Sequence, residues 1–255
     1  MIECTYIFLE GIKKRMERRI WQQGISNWDS FIKKNRVKGI SKLRKEYYNR
    51  KLLEAKKELY NLNSSYFLSL PSSETWRLYD FFKEESIFLD IETSGMSKFS
   101  DITIIGLFDG LKTKTMINGI NFDYNSLKKE LSKYKLMVTF NGAIFDIPFI
   151  KKRYPFLLPR IPNFDLRFAC RRLGLSGGLK EIEKKLGIKR RKEVEEMYGY
   201  DALLLWETFK RTKDEYYLNL LVEYNEEDTF NLKKIADYVY KELKKQTFEN
   251  EYKKS

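Results

Sequence analysis

Histidine is absent from all 255 residues. Without an imidazole the chain can form no Ser–His–Asp triad, no His-ligated zinc site and no general base with an unperturbed pKa close to neutrality. Cysteine is almost absent too. Cys4 and Cys170 form no CxxC pair, which excludes a thiolate metal centre and a disulfide framework and suits a reducing, cytoplasmic setting. There is no internal repeat and no low-complexity tract. Long apolar runs are also lacking. The N-terminal stretch Tyr6-Ile7-Phe8-Leu9 stops at Glu10, too short for a signal-peptide core. The run from Ile102 to Phe108 falls far short of the roughly 20 residues that a spanning helix needs. The expectation is a soluble chain with no membrane partner.

Aromatic residues and positive charge are plentiful. With 42% hydrophobic residues, 18 Phe, 17 Tyr and 4 Trp the chain can bury a sizeable core, and wholesale disorder is excluded. Its 49 Lys and Arg against 36 Asp and Glu leave +13, a balance that suits a polyanionic partner such as nucleic acid. The excess is uneven: residues 1–80 carry 17 basic and 9 acidic side chains. That first third reads as a basic helical module, punctuated by Gly11, Gly24 and Gly39. Ser41 to Leu62 forms a helix that carries apolar Leu43, Tyr47, Leu53 and Tyr60. Trp21, Trp28 and Phe31 fall at near-helical spacing and read as core, as do Trp76 and Trp206.

The pattern changes near residue 84. Ser86 to Glu92 alternates as a strand, with Ile87, Leu89 and Ile91 on one face and Phe88, Asp90 and Glu92 on the other. Asp101 to Phe108 is a second strand, and Asp109-Gly110 is a hairpin signal before a third at Lys114 to Asn118. A helix over Asn121 to Tyr134 leads to a buried fourth strand, Leu136 to Phe140. A fifth, short strand is expected at Ile161 to Asp165. Helices follow at Gly178 to Leu186, Asp201 to Arg211 and Asp214 to Leu243. The predicted division is a basic helical module at 1–80, an α/β domain with a mixed sheet at 81–246 and a frayed charged tail at 247–255.

Three acidic features lie within the α/β part. Asp90 and Glu92, two apart on one strand, project from the same face, and like charges held so close call for a compensating cation. Hard oxygen ligands suit Mg²⁺ or Mn²⁺. Asn141-Gly142-Ala143-Ile144-Phe145-Asp146 follows the fourth strand; Asp146 is either a helix cap or a half-buried functional acid. Tyr224 and Asp228 share one face of the last helix, with Glu226 and Glu227 expected on an exposed acidic turn. Asp165 reads as a structural acid. The run Lys189-Arg190-Arg191-Lys192 reads equally as a phosphate grip or as a solvated face.

Taken together, Asp90-x-Glu92, Asn141-x4-Asp146 and Tyr224-x3-Asp228 resemble the three motifs of the DEDD 3′–5′ exonuclease superfamily. The tyrosine four residues before the last Asp matches its tyrosine branch. Over nearly the whole chain, Glu92-Thr93-Ser94-Gly95, Leu179-Lys180-x2-Glu183-x2-Leu186-Gly187 and Tyr224-Asn225-x2-Asp228-x2-Asn231-Leu232 are similar to a little-characterised prokaryotic family. Its members are stand-alone ribonuclease H-like exonucleases. The resemblance implies a ribonuclease H-like fold, a mixed five-stranded sheet flanked by helices behind the helical N-terminal module. It also implies hydrolysis of phosphodiester bonds from single-stranded 3′ ends of DNA or RNA. Asp90, Glu92, Asp146 and Asp228 would hold two Mg²⁺ or Mn²⁺ ions, Tyr224 would orient the attacking water, and Asn141, Lys189, Arg190 and Arg191 would contact the nucleic acid. The alternatives are a non-catalytic nucleic-acid-binding module and an endonuclease of the same fold.

Overall fold

The computed structural model describes residues 1–95, 97, 100–197 and 199–249, so most of the predicted tail (250–255) lies outside the described residues. The N-terminal third is helical: α1 (Lys14–Trp21), α2 (Trp28–Lys33) and α3 (Lys42–Tyr60), then 3₁₀ turns at Ser64–Ser69 and Ser72–Leu78. A capping box starts α2. The Asn27 side chain accepts from the Ser30 N–H at 2.8 Å, and the Ser30 hydroxyl accepts from the Asn27 N–H at 3.0 Å. On α3 the buried stripe is Tyr48, Leu52, Ala55 and Leu59. The expected apolar residues Leu43, Leu53 and Tyr60 face outward. This helix carries apolar side chains on both sides, and the stripe with unbroken i, i+4, i+7, i+11 spacing is the one that packs.

Five strands follow: β1 (Ser86–Thr93), β2 (Ile102–Phe108), β3 (Thr113–Ile117), β4 (Leu136–Thr139) and β5 (Asn163–Asp165). They form one mixed sheet in the order β3-β2-β1-β4-β5. The first three strands meander antiparallel, and β4 and β5 run parallel to β1. The β2–β3 turn closes on Asp109, whose carboxylate accepts from the N–H groups of Leu111 and Lys112 at 2.8 and 2.7 Å, while Gly110 takes φ +97°. Helices α4 (Tyr124–Leu131), α5 (Asp146–Arg153), α6 (Leu166–Arg172), α7 (Leu179–Leu186), α8 (Lys192–Glu195), α9 (Gly199–Thr212) and the long α10 (Glu215–Lys244) complete the chain. Among the described residues no helix is long and apolar enough to cross a membrane.

The alternation along β1 sorts the core. Ile87, Leu89 and Ile91 join Ile105, Leu107 and Met137 under Leu127 and Leu131 of α4 and Ile150 of α5. On the opposite face Phe88, Phe108, Val138 and Phe164 pack on Leu232, Ile235, Ala236 and Val239 of α10. The same cluster runs without interruption into Tyr6, Trp21, Trp28, Phe31, Tyr48 and Trp76. The boundary near residue 80 is thus a change of element type, and the hydrophobic core runs straight through it. Trp206 packs with Ala202, Leu218, Leu221 and Ile104 in a smaller third cluster.

A buried ion network pins the N-terminal third to this core. Arg77, with no exposed side-chain area, meets Glu17 at 2.9 Å and Glu74 at 2.7 Å. Glu74 also receives Lys14 at 2.5 Å and Arg172 of α6 at 2.8 Å. The Tyr6 N–H donates to Glu17 at 2.7 Å. Among the described residues, removing Arg77 would leave Glu17 out of water with no cation and take one of three cations from Glu74. Arg77→Ala should therefore lower unfolding free energy by about 3–5 kcal/mol. A denaturant titration checks this, as a fall in midpoint at unchanged slope; a midpoint equal to wild type would show that the network adds no stability.

Candidate active site

The site begins with one small residue. Asp90 of β1 pairs across the sheet with Gly106 of β2. A Cβ on Gly106 would lie 1.8 Å from Asn225 Oδ1 of α10. Only glycine lets α10 settle this close, and the approach aligns Asn225 so that its Nδ2 donates to Asp90 Oδ2 at 2.9 Å. One turn along α10 from Tyr224 lies Asp228, 7% exposed. The result is convergence: ligand-type oxygens of Asp90, Glu92 and Asp228 all lie within 4.8 Å of one another. The strand register breaks immediately after Glu92, between it and Thr93, which ends regular pairing beside the cluster.

Asp146 reaches the same strand from the other side of the fold. It stands in the first turn of α5, and its Oδ1 accepts the Ile91 N–H, between Asp90 and Glu92, at 3.1 Å. The carboxylate thus bridges to β1 rather than serving only as a cap. It is not one of the three converging groups, yet its charge raises the pKa of Asp90. The preceding loop is built on Asp165, whose carboxylate accepts from the N–H groups of Asn141 and Ala143, both at 2.9 Å, and of Arg167 at 3.0 Å. That is the structural role expected for this acid. Asn141 sits at φ +65°, with its side-chain carbonyl accepting from Arg167 Nη1 at 2.8 Å. At Gly142 a Cβ would fall 2.5 Å from Thr139, so the loop needs glycine there for space.

The electrostatics follow from crowding. Burial, then the charges of Asp146, Asp228 and Glu92, push Asp90 well above the usual carboxylate range. Glu92 rises for burial and for its neighbours Asp228 and Asp146. Burial lifts Asp146 to about 7 and Asp228 to about 6, the latter against the pull of Arg190. Burial and the same acids raise the Tyr224 phenol, which therefore stays protonated at neutral pH. Lys180 and Arg190 lie over the Tyr224 ring, 5.3 and 5.6 Å from its centroid. Three converging hard oxygen donors whose mutual repulsion favours a cation fit a divalent metal ion.

The basic run 189–192 divides. Lys189 and Arg191 are exposed, and Arg191 pairs with Glu227 at 3.1 Å. Arg190 is not on the expected outer face. Its side chain is 3% exposed and is held by Glu183 of α7 and by Asp228. Glu226 and Glu227 are not an exposed acidic turn either: Glu227 is 8% exposed, and Glu226 accepts from Thr113 at 3.2 Å. In both cases a partner from a distant element pulls the charge inward. Arg190, expected on nucleic acid, lies instead against Asp228. Gly106, Asn225 and Glu183 were given no role in the site from sequence, although Asn225 and Glu183 stand in the motifs of the resemblance. For Gly106 the available signal was a lone glycine inside the apolar strand Ile102–Phe108, which marks close backbone approach.

A family model described as RNase_H superfamily, RNase_H_2, matches residues 87–240, from the start of β1 to the end of the apolar half of α10. No curated protein and no solved structure matches the chain. The match covers well over half of the sequence and contains all five strands and every acid of the site. The mixed five-stranded sheet flanked by helices is consistent with that fold, and the chain belongs to the superfamily.

Proposed function

We propose that the protein is a metal-dependent 3′–5′ exonuclease that hydrolyses DNA or RNA from single-stranded ends. The observation that carries the reading is the convergence of Asp90, Glu92 and Asp228 beside Tyr224, with Asp146 bonded to the strand between the first two. Asp90, Glu92, Asp146 and Asp228 would hold two ions. Mg²⁺ or Mn²⁺ held there supplies the positive charge that makes water a nucleophile at neutral pH and neutralises the departing 3′ oxygen. Tyr224, a protonated phenol walled in by acids, orients the attacking water by a hydrogen bond and is too weak a base to take its proton. Asn141 contacts the terminal nucleotide, and Lys189 and Arg191 receive phosphates at the mouth. The exposed Arg15, Arg19, Arg36 and Arg50 of the N-terminal third add diffuse attraction for the rest of the strand. The free thiols Cys4 and Cys170 suit a reducing cytoplasm.

The direct test is the purified chain with Mg²⁺ or Mn²⁺ on 5′-labelled linear and on circular single-stranded DNA and RNA. A ladder shortening from the 3′ end with circles left intact is expected; cut circles would make the enzyme an endonuclease. Asp90→Ala, Asp228→Ala and Asp146→Asn should each abolish turnover while staying folded, and wild-type cleavage by any of them would overturn the site. Tyr224→Phe should keep metal binding and lose much of kcat. Replacing Arg15, Arg19, Arg36 and Arg50 by Gln should flatten the fall of affinity with log salt by about one unit per lost phosphate contact. An identical slope would mean these side chains are only solvated.

The acid cluster also fixes a pH dependence for the chelated protein. A carboxyl whose folded pKa exceeds its unfolded one binds its proton more tightly in the native state. Its destabilising effect is then absent below the unfolded pKa and complete above the folded one. With Asp146 moving from 3.8 to about 7, stability in EDTA should fall as pH rises across that window and level off above it. Saturating Mn²⁺ should recover the loss by binding the charged form. Thermal melts from pH 4 to 8 with and without Mn²⁺ measure both, and a flat EDTA profile would refute the burial-raised Asp146 carboxyl.

A further inference from the structure

Arg190 lies between α7 and α10 with two of its three guanidinium nitrogens engaged. Its Nε and Nη2 meet Glu183 at 2.6 and 2.9 Å, and Nη2 also contacts Asp228 Oδ1. Glu183 is 2% exposed, and Asn231 of α10 donates to it at 3.1 Å. The remaining Nη1 is buried and has no hydrogen-bond partner among the described residues. A guanidinium that grips one carboxylate bidentately is already neutralised. Its further contact with Asp228 joins that neutral pair to the acid cluster, and Glu183 fixes how far the positive charge reaches into it.

We propose that Arg190, locked in place by Glu183, is a positioning residue that holds Asp228 toward Asp90 and Glu92 and sets how tightly the cluster binds its divalent ion. The inference rests on the metal-site reading above. The two members of the pair act on a bound cation with opposite signs. The Arg190 charge repels it and competes for Asp228 Oδ1, and the Glu183 charge offsets that repulsion. Both residues belong to the same packed unit of α7 and α10, so a purely structural role would move metal affinity the same way when either is changed. Arg190 also holds Asp228 at one rotamer, which links affinity to turnover: the site gives up some affinity for a fixed ligand geometry.

The experiment is calorimetric titration of the full-length protein with Mn²⁺ and no nucleic acid, alongside circular dichroism melts. Arg190→Gln should bind Mn²⁺ about tenfold more tightly and turn over more slowly, whereas Glu183→Gln, which leaves the guanidinium uncompensated, should bind about tenfold more weakly. Arg190→Lys, which keeps the charge and loses the fork, should stay near wild-type affinity with reduced kcat. Should Arg190→Gln fail to fold, Glu183→Gln carries the test alone, and unchanged affinity there overturns the proposal. Shifts of the same sign in folded Arg190→Gln and Glu183→Gln also overturn it. Wild type that takes up no Mn²⁺ refutes the metal-site reading itself, an outcome separate from either.

Discussion

Three carboxylates share one face of a sheet because a single helix is held at both ends and left polar between them. Leu218 and Leu221 anchor α10 against Ile104 and Trp206, and Leu232, Ile235, Ala236 and Val239 anchor it against Phe88 and Phe108. Burying each such side chain contributes on the order of 1.5–3 kcal/mol, enough in sum to offset the repulsion of acids pressed together in the gap. Tyr224, Asn225, Asp228 and Thr229 fall in that gap. Gly106 sets its depth, because any side chain there would lift the helix and separate Asp228 from Asp90.

Much of the fold was legible because it is written in local periodicity. The alternation of β1, the Asp109-Gly110 hairpin and the buried run of β4 each express a two-residue period or a turn rule that needs no distant partner. The paired acids were legible for the same reason. What escaped was whatever depends on residues far apart in sequence. The run at 189–192 has a surface composition, and only Glu183 and Asp228 turn Arg190 inward. On α3, Leu43 and Tyr48 are equally plausible core residues until the partner surface selects the Tyr48 stripe. Asp146 offers capping and bridging readings that only the position of the Ile91 N–H separates.

The superfamily supplies the scaffold, and the chemistry lies in what is placed on it. With no histidine in the chain, no imidazole can share the proton traffic of hydrolysis. The aromatic side chain beside the acids is a phenol under two cations, Lys180 and Arg190, while burial, and then the neighbouring acids, keep its proton on. The groups of the site that titrate near neutrality are therefore carboxyls, Asp146 at about 7 and Asp228 at about 6, and no imidazole takes part.

The core that joins the two ends of the chain has a kinetic consequence. The Met1 ammonium donates to the Tyr240 hydroxyl at 3.3 Å, and the Trp21 and Phe248 rings meet edge to face at 5.2 Å. Trp21, Trp28 and Phe31 leave the ribosome long before α10 exists to cover the cluster they belong to. The nascent N-terminal third must wait with its aromatic surface incompletely buried, and the closing contacts span nearly the full sequence, the loop-closure regime in which folding is slow and aggregation competes. Its high density of lysine and arginine acts during that wait as a colloidal safeguard, since strands of like charge stay apart while the last helix is still being made.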